Sequence, residues 1–158
     1  MRIIRDTLYI DPNDRGAAAA IGNFDGVHLG HQAVIDITRQ AATQTGAPLG
    51  IMTFEPHPRS YFSNDSNPFR LMNAEAKAHR LEKLGVERLY EVPFNTALAA
   101  LTPQEFAQEI IANRLGLKHV VVGADFCFGQ NRAGNAADLQ TFGADMGFGV
   151  TIAPMVEI

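Results

Sequence analysis

Apolar runs bounded by glycine or proline alternate along this chain with stretches in which apolar residues recur every three or four positions. "AAAAIGNF" (17–24) is a short apolar run that reads as a central strand despite its alanines. "HQAVIDITRQAAT" follows, with Ala33, Val34, Ile37 and Ala41 at helical spacing, until "TGAP" stops it. "LGIMTF" (49–54) is a second strand, ended by the two prolines of "EPHPRS". Asn73 reads as an N-cap, with Glu75 in the first turn, Leu81 and Leu84 inward and Gly85 as the stop. "VERLYEV" is a third strand. "TPQEFAQEIIANRLG" is the best-specified helix, with Thr102 as N-cap, Pro103 at N1, Glu105 at N3 and Gly116 as the stop. "LKHVVVG" is a fourth strand suited to burial on both faces. A last helix from Asn135 and a fifth strand, "FGVTIAPM", complete the pattern.

Strands alternating with helices predict an α/β fold, a doubly wound (Rossmann-like) parallel sheet of about five strands with helices on both faces. Ligands in such sheets bind beyond the carboxyl ends of the strands, at a topological switch point. The three least regular loops fall there: "GNFDGVHLGH", "EPHPRSYF" and "GADFCFGQNRAGN".

Composition narrows the class. The 158 residues suit one domain, and 46% apolar with 19% charged residues is a globular balance. No apolar stretch reaches the roughly 18 residues of a membrane span, and Arg5 and Asp6 interrupt any signal-peptide core. A net charge of −4, from 17 acidic and 13 basic side chains with no basic run, argues against nucleic acid as a partner. The one cysteine, Cys127, has no internal disulfide partner and reads as a small, inert, buried residue; a reducing cytoplasm is the simplest setting.

The first loop carries the chemistry. A helix opening near Gly30 and His31 presents unpaired N–H groups and a positive dipole end. Gly22, Gly26 and Gly30 permit close backbone approach, and His28 and His31 can donate to one oxyanion. That describes a phosphate site able to stabilise charge during phosphoryl or nucleotidyl transfer. It is neither a dinucleotide fingerprint nor a P-loop, since both glycine patterns are absent. A metal held by Asp25, His28 and His31 lacks a fourth ligand nearby, and a purely structural loop is the other competing reading.

"GNFDGVHLGH" resembles the HxGH signature of a nucleotidyltransferase superfamily, here His28-Leu29-Gly30-His31, in the longer form found in bacterial FAD synthetases. "TFEPHPRSYF" is similar to that family's F-x-P-H-P loop and "VGADFCFGQNRAG" to its D-F-x-F-G-x-x-R-x-G loop; the resemblance covers nearly the whole chain. It implies that residues 1–158 form a single FMN adenylyltransferase domain, cytoplasmic, of the kind joined to a C-terminal riboflavin kinase domain in a bifunctional protein. ATP and FMN would be substrates, FAD and pyrophosphate products, and Mg2+ would enter with ATP. His28 and His31 would hold the ATP phosphates as the catalytic pair, while Gly22, Asn23, Phe24 and Gly30 line the adenosine side. Asp25 would either orient a histidine or help hold Mg2+, with no dedicated set of metal ligands.

The flavin would be met by Pro56, His57, Pro58 and Phe62 from the second loop and by Asp125, Phe128 and Arg132 from the third. Phe126 and Phe128 alternate about Cys127, so one face of the pair belongs to the core. After "APMVEI" no stretch resembles the family's third, I-S-S-T-x-x-R-like nucleotide element, so the resemblance implies impaired turnover and no kinase activity in these residues. Rival readings are transfer of a nucleotidyl group to another phosphorylated acceptor, such as phosphopantetheine or glycerol phosphate, and a flavin- or nucleotide-binding module without catalysis.

Overall fold

The computed structural model of the protein describes residues 1–22, 29–55 and 74–154; for residues 29–31 and 74 it describes the backbone alone. Six strands form one sheet: β1 (Arg2–Ile4), β2 (Ala18–Ile21), β3 (Leu49–Glu55), β4 (Arg88–Pro93), β5 (His119–Gly123) and, last in the chain, β8 (Gly149–Ala153). Their order is β1-β4-β3-β2-β5-β8, with every neighbouring pair parallel. Between β5 and β8 lies a small antiparallel hairpin, β6 (Cys127–Phe128) with β7 (Gly134–Asn135). Among the described residues the α-helices are α1 (Leu29–Thr45), α2 (Ala74–Lys83), α3 (Thr96–Ala99), α4 (Pro103–Phe106) and α5 (Ala136–Met146).

Alternation along the strands builds two cores. Ala17, Ala19, Ile21, Val120 and Val122 face one way, packing with Phe106, Ile110, Ile111 and Leu139. Ala18, Ala20, Ile51, Leu89 and Val121 face the other, under Ile35 and Ala42 of α1 and Ala78 and Leu81 of α2. Both faces of the central strands are therefore dry, which is why "AAAAI" and "HVVVG" show no polar alternation. Small residues at the centre make room for a large one. A Cβ on Gly50 would lie 3.2 Å from the Ala17 methyl and 3.3 Å from the Tyr90 ring, which crosses over it. Tyr90 is fully buried and its hydroxyl donates to the Asp14 carbonyl; burial pushes that phenol up to about 12, so it remains a donor.

The predicted α/β class and the helices on both faces are present, with six parallel strands among the described residues where about five were expected. The extra strand, β1, is three residues long with two exposed positions, too short and too charged for an apolar pattern to mark. It is held by pairing with β4 and by Arg2, which donates twice, at 2.7 Å, to Asp14. That ion pair holds the Asp14 carboxyl below the usual carboxylate range.

The Thr102–Glu105 capping box is formed in both directions. Beyond Phe106, however, the helix widens into a π-helical stretch, Ala107–Arg114, in which the Leu115 N–H reaches back to the Ile110 carbonyl. The wider turn brings Ala107, Ile110, Ile111 and Leu115 all into the core. Asn135 caps α5 reciprocally with Asp138, and Gly147 ends it at φ +92°. The expected cap at Asn73 lies outside the described residues.

Candidate active site at the carboxyl edge of the sheet

From β2 the chain moves outward through β3 to β4, then crosses back to β5 and outward again to β8. The reversal falls between β2 and β5, which are neighbours, and the crevice beyond their carboxyl ends is the switch point of the sheet. The loops singled out in the sequence leave the carboxyl ends of β2, β3 and β5. Those three strands are consecutive in the sheet, in the order β3-β2-β5. All three loops therefore start at one edge.

At β2, the Gly22 N–H donates to the Met52 carbonyl at 3.0 Å, closing the strand end. Gly30 and His31 are the second and third residues of α1, so their backbone belongs to the helix's first turn, where N–H groups lack intrahelical partners. α1 packs over β2 and β5, which aims its amino end at the switch point. Asn23, Phe24, Asp25 and His28 lie outside the described residues, as do Pro56, His57, Pro58 and Phe62. Among the described residues no three His, Cys, Asp or Glu side chains come together as a metal site. Among them too, no helix is long and apolar enough to cross a membrane.

The loop after β5 is described in full. The Phe126 N–H donates to the Gly123 carbonyl, and the Asp125 carboxylate folds back so closely that a Cβ on Gly123 would lie 3.0 Å from it. Asp125 and Arg132 are both exposed at this edge. The hairpin is pressed against the start of α4. Gln130 donates to the Leu101 carbonyl at 2.6 Å, and a Cβ on Gly129 would meet the Pro103 backbone at 2.7 Å. Gly129 also needs its φ of +80° for the turn. Asn131 and Arg132 follow at φ +56° and +54°, two successive left-handed residues without a glycine.

The hairpin places two aromatic rings and corrects one expectation. Phe128 is 5% exposed, its ring 5.5 Å from that of Phe106 and edge-on to Phe142. Phe126, half-buried, stacks on Phe128 at 5.5 Å with 16° between the planes and is the ring nearer solvent. Cys127, expected buried, is exposed, with its thiol directed to the Asp125 carbonyl. The reason is the hairpin's geometry: successive residues face opposite sides, and with Phe128 turned to the core Cys127 faces out.

The other histidines stand apart. His79 is exposed on α2, and His119, at the amino end of β5, is bonded through Nε2 to Thr151 Oγ1 at 2.7 Å. One pair escaped the sequence reading. Lys77 on α2 is buried, with Nζ 3.4 Å from Oε1 of Glu55, the last residue of β3. The available clue was its position: Lys77 falls on the same helix stripe as Ala78 and Leu81, where an apolar residue belongs.

Comparison with known proteins agrees with the geometry. A family model described as FAD synthetase matches residues 10–158. A bifunctional riboflavin kinase/FMN adenylyltransferase from Pseudomonas fluorescens is 40% identical over 158 residues, covering 100% of this chain and 50% of its own length. The protein of that name from Escherichia coli (strain K12) is 38% identical over 136 residues, 86% of this chain and 44% of its own. The chain thus spans about half the length of the curated relatives it matches. Among solved structures, one titled as a macrolide-efflux protein from Streptococcus pneumoniae superposes with a TM-score of 0.81 at 28% identity, covering 100% of this chain and 52% of that one.

Proposed function

Since this chain belongs to the FAD synthetase family, we propose that it transfers AMP from ATP to FMN, forming FAD and releasing pyrophosphate. The observation that carries this reading is the launch of three motif-bearing loops from adjacent strands at the switch point, with the first turn of α1 beside them. The relatives are named for two activities and are about twice as long as the matched region; the adenylyl-transfer half is assigned to these residues, as a single domain working in the cytoplasm.

The reaction needs no protein nucleophile. A phosphate oxygen of FMN attacks the α-phosphorus of ATP in line; that P–O bond forms as the bond to the bridging oxygen breaks, and pyrophosphate leaves with the electron pair. The protein's part is to hold two anions together and to stabilise charge moving onto the leaving group. His28 and His31 donate to the ATP phosphates, helped by the amino end of α1. Gly22, Asn23, Phe24 and Gly30 line the adenosine side, and Asp25 serves either a histidine or the metal. Mg2+, bound with ATP through its phosphates rather than by a protein cage, supplies charge neutralisation. Pro56, His57, Pro58 and Phe62 flank the flavin. Asp125 accepts from its polar groups, Arg132 meets its phosphate, and Phe128 offers an aromatic ring to the flavin side.

Incubating the chain with FMN and MgATP and separating products by chromatography tests the reading, with His31→Ala as control. FAD is expected from the parent, and about 10²–10³-fold less from the variant at unchanged melting temperature, the usual cost of losing one such donor. Faster transfer to glycerol phosphate or phosphopantetheine than to FMN would shift the acceptor. A folded chain that binds FMN and makes no FAD would leave a binding module instead.

A further inference from the structure

The β6–β7 hairpin carries Arg132 in its turn and cannot hold that turn by itself. Its strands are joined only at Cys127 with Asn135 and Phe128 with Gly134, and a ribbon that short has little stability of its own. Yet the turn contains two left-handed residues in succession, Asn131 and Arg132, a conformation that persists only where the surroundings over-determine it. Within the turn, the Arg132 N–H donates to the Gly129 carbonyl at 3.0 Å and the Ala133 N–H to the Gln130 carbonyl at 3.1 Å. The remaining restraint comes from outside the hairpin.

That restraint converges on Pro103. A Cβ on Gly129, before the turn, would lie 2.7 Å from the Pro103 nitrogen and 2.8 Å from its Cα; a Cβ on Gly134, after it, would lie 2.8 Å from the Pro103 Cβ. Both arms of the turn therefore rest on one residue, with glycine at each point of contact because no side chain fits. Between them the Gln130 N–H donates to the Leu101 carbonyl at 2.6 Å. Pro103 is itself fixed. It is the first residue of α4, its ring sets its own φ, and Thr102 and Glu105 to either side exchange bonds of 3.0 and 3.1 Å. The Arg132 side chain, by contrast, is exposed and has no hydrogen bond or ion pair among the described residues. A free guanidinium on a rigid seat is the arrangement that preorganised recognition of an anion requires.

We propose that Pro103 is a positioning residue for Arg132: it is the stop on which the hairpin is seated, and it thereby sets how tightly the chain holds the phosphate of FMN. This rests on the assignment of Arg132 to that phosphate. Pro103 acts through the hairpin and not by contact with substrate. With the seat in place the guanidinium is aimed before FMN arrives, and little ordering is left to oppose binding. With the seat removed or wedged open, the turn relaxes and the same arginine binds more weakly.

Two variants disturb the seat in opposite ways. Pro103→Ala removes the ring and keeps Thr102 and Glu105; Gly134→Ala, at a backbone outside the left-handed region, drives a methyl into Pro103 and the Phe128 ring. Each is made alone and together with Arg132→Gln. Affinity is read from quenching of flavin fluorescence, with FMN and with riboflavin, which lacks the phosphate, alongside the melting temperature and FAD formation. The expected result is a loss of FMN affinity of about fivefold or more in either variant, and of less than about twofold where residue 132 is already glutamine. Riboflavin affinity is expected to stay within about twofold throughout, and Pro103→Ala to melt within about 4 °C of the parent. Equal losses with and without Arg132, or riboflavin affinity falling in step with that for FMN, would make the joint a support of the fold at large and overturn the proposal. FMN affinity unchanged in either variant would overturn it too. If Arg132→Gln alone binds FMN like the parent, the proposal falls while FAD formed by the parent still upholds the transferase reading. A parent that binds FMN through Arg132 but makes no FAD would defeat the transferase reading and leave the positioning role standing on the binding data. A parent that does not bind FMN would overturn both.

Discussion

Arg132 holds a backbone conformation that suits few side chains. At φ +54°, directly after Asn131 at +56°, it pays about 1–2 kcal/mol for its Cβ, whereas asparagine tolerates the same region more easily. A glycine there would relieve that strain and lose roughly 0.5–1 kcal/mol back to its freer unfolded chain. Arg132→Gly is therefore expected to leave stability level or slightly raised while lowering FAD formation at least tenfold, a split that melting curves and steady-state rates on one preparation would reveal. A variant that melts well below the parent would mean that packing of the arginine side chain outweighs the relief of strain. The arginine's type was legible from its motif, but nothing in "GQNRAG" announces two left-handed residues in a row, because only glycine advertises that region. The same limit applied at Phe126 and Phe128. Alternation about Cys127 puts both rings on one side, where they stack, and only the core beneath the hairpin decides that Phe128 is the more deeply buried.

Elements were more legible than residues where local chemistry specifies them. Thr102 with Glu105 and Asn135 with Asp138 mark helix starts by reciprocal bonds, and Gly85 and Gly116, read as stops, adopt φ of +91° and +58°. Elements imposed by tertiary packing left no local trace: β1, the two-residue hairpin strands and the π-helical widening after Phe106. The junction of β5 and β8 is of this second kind and carries a pH dependence. His119 lies against Gly149, where a Cβ would fall 2.4 Å from Nδ1, and burial lowers its pKa from 6.5. As pH falls, the unfolded chain takes up the proton first. The stability His119 contributes is thus fully present above pH ~6.5 and is lost as pH drops towards the folded value. The melting temperature is expected to fall between pH 7.5 and 5.5, and His119→Gln, which can still bond Thr151 but does not titrate, is expected to flatten that slope. Parallel slopes in parent and variant would assign the pH dependence to other groups.

For the molecule as a whole, the thickness of the layers links stability to the site. Alternating strands and helices disclosed the α/β class, yet the sheet order, and with it the adjacency of β3, β2 and β5, is a long-range property that no local pattern encodes. The central alanines serve that architecture: Ala17 to Ala20 are all fully buried, and α1 packs directly over β2 and β5. Because Ala18 and Ala20 are small, α1 lies close to the sheet and its amino end reaches the switch point. Ala20→Leu should lift α1, costing about 1–3 kcal/mol as an overpacked core position does, or about 2–4 °C of melting temperature per kcal/mol at this size. The control is Ile4→Ala on edge strand β1, which leaves a cavity of comparable cost, about 2–4 kcal/mol, far from the candidate site. Measured well below both melting temperatures, adenylyl transfer is expected to fall at least tenfold in Ala20→Leu and less than twofold in Ile4→Ala. Equal losses in the two would show that activity follows global stability; a loss confined to Ala20→Leu would tie the rate to the height of α1 above β2.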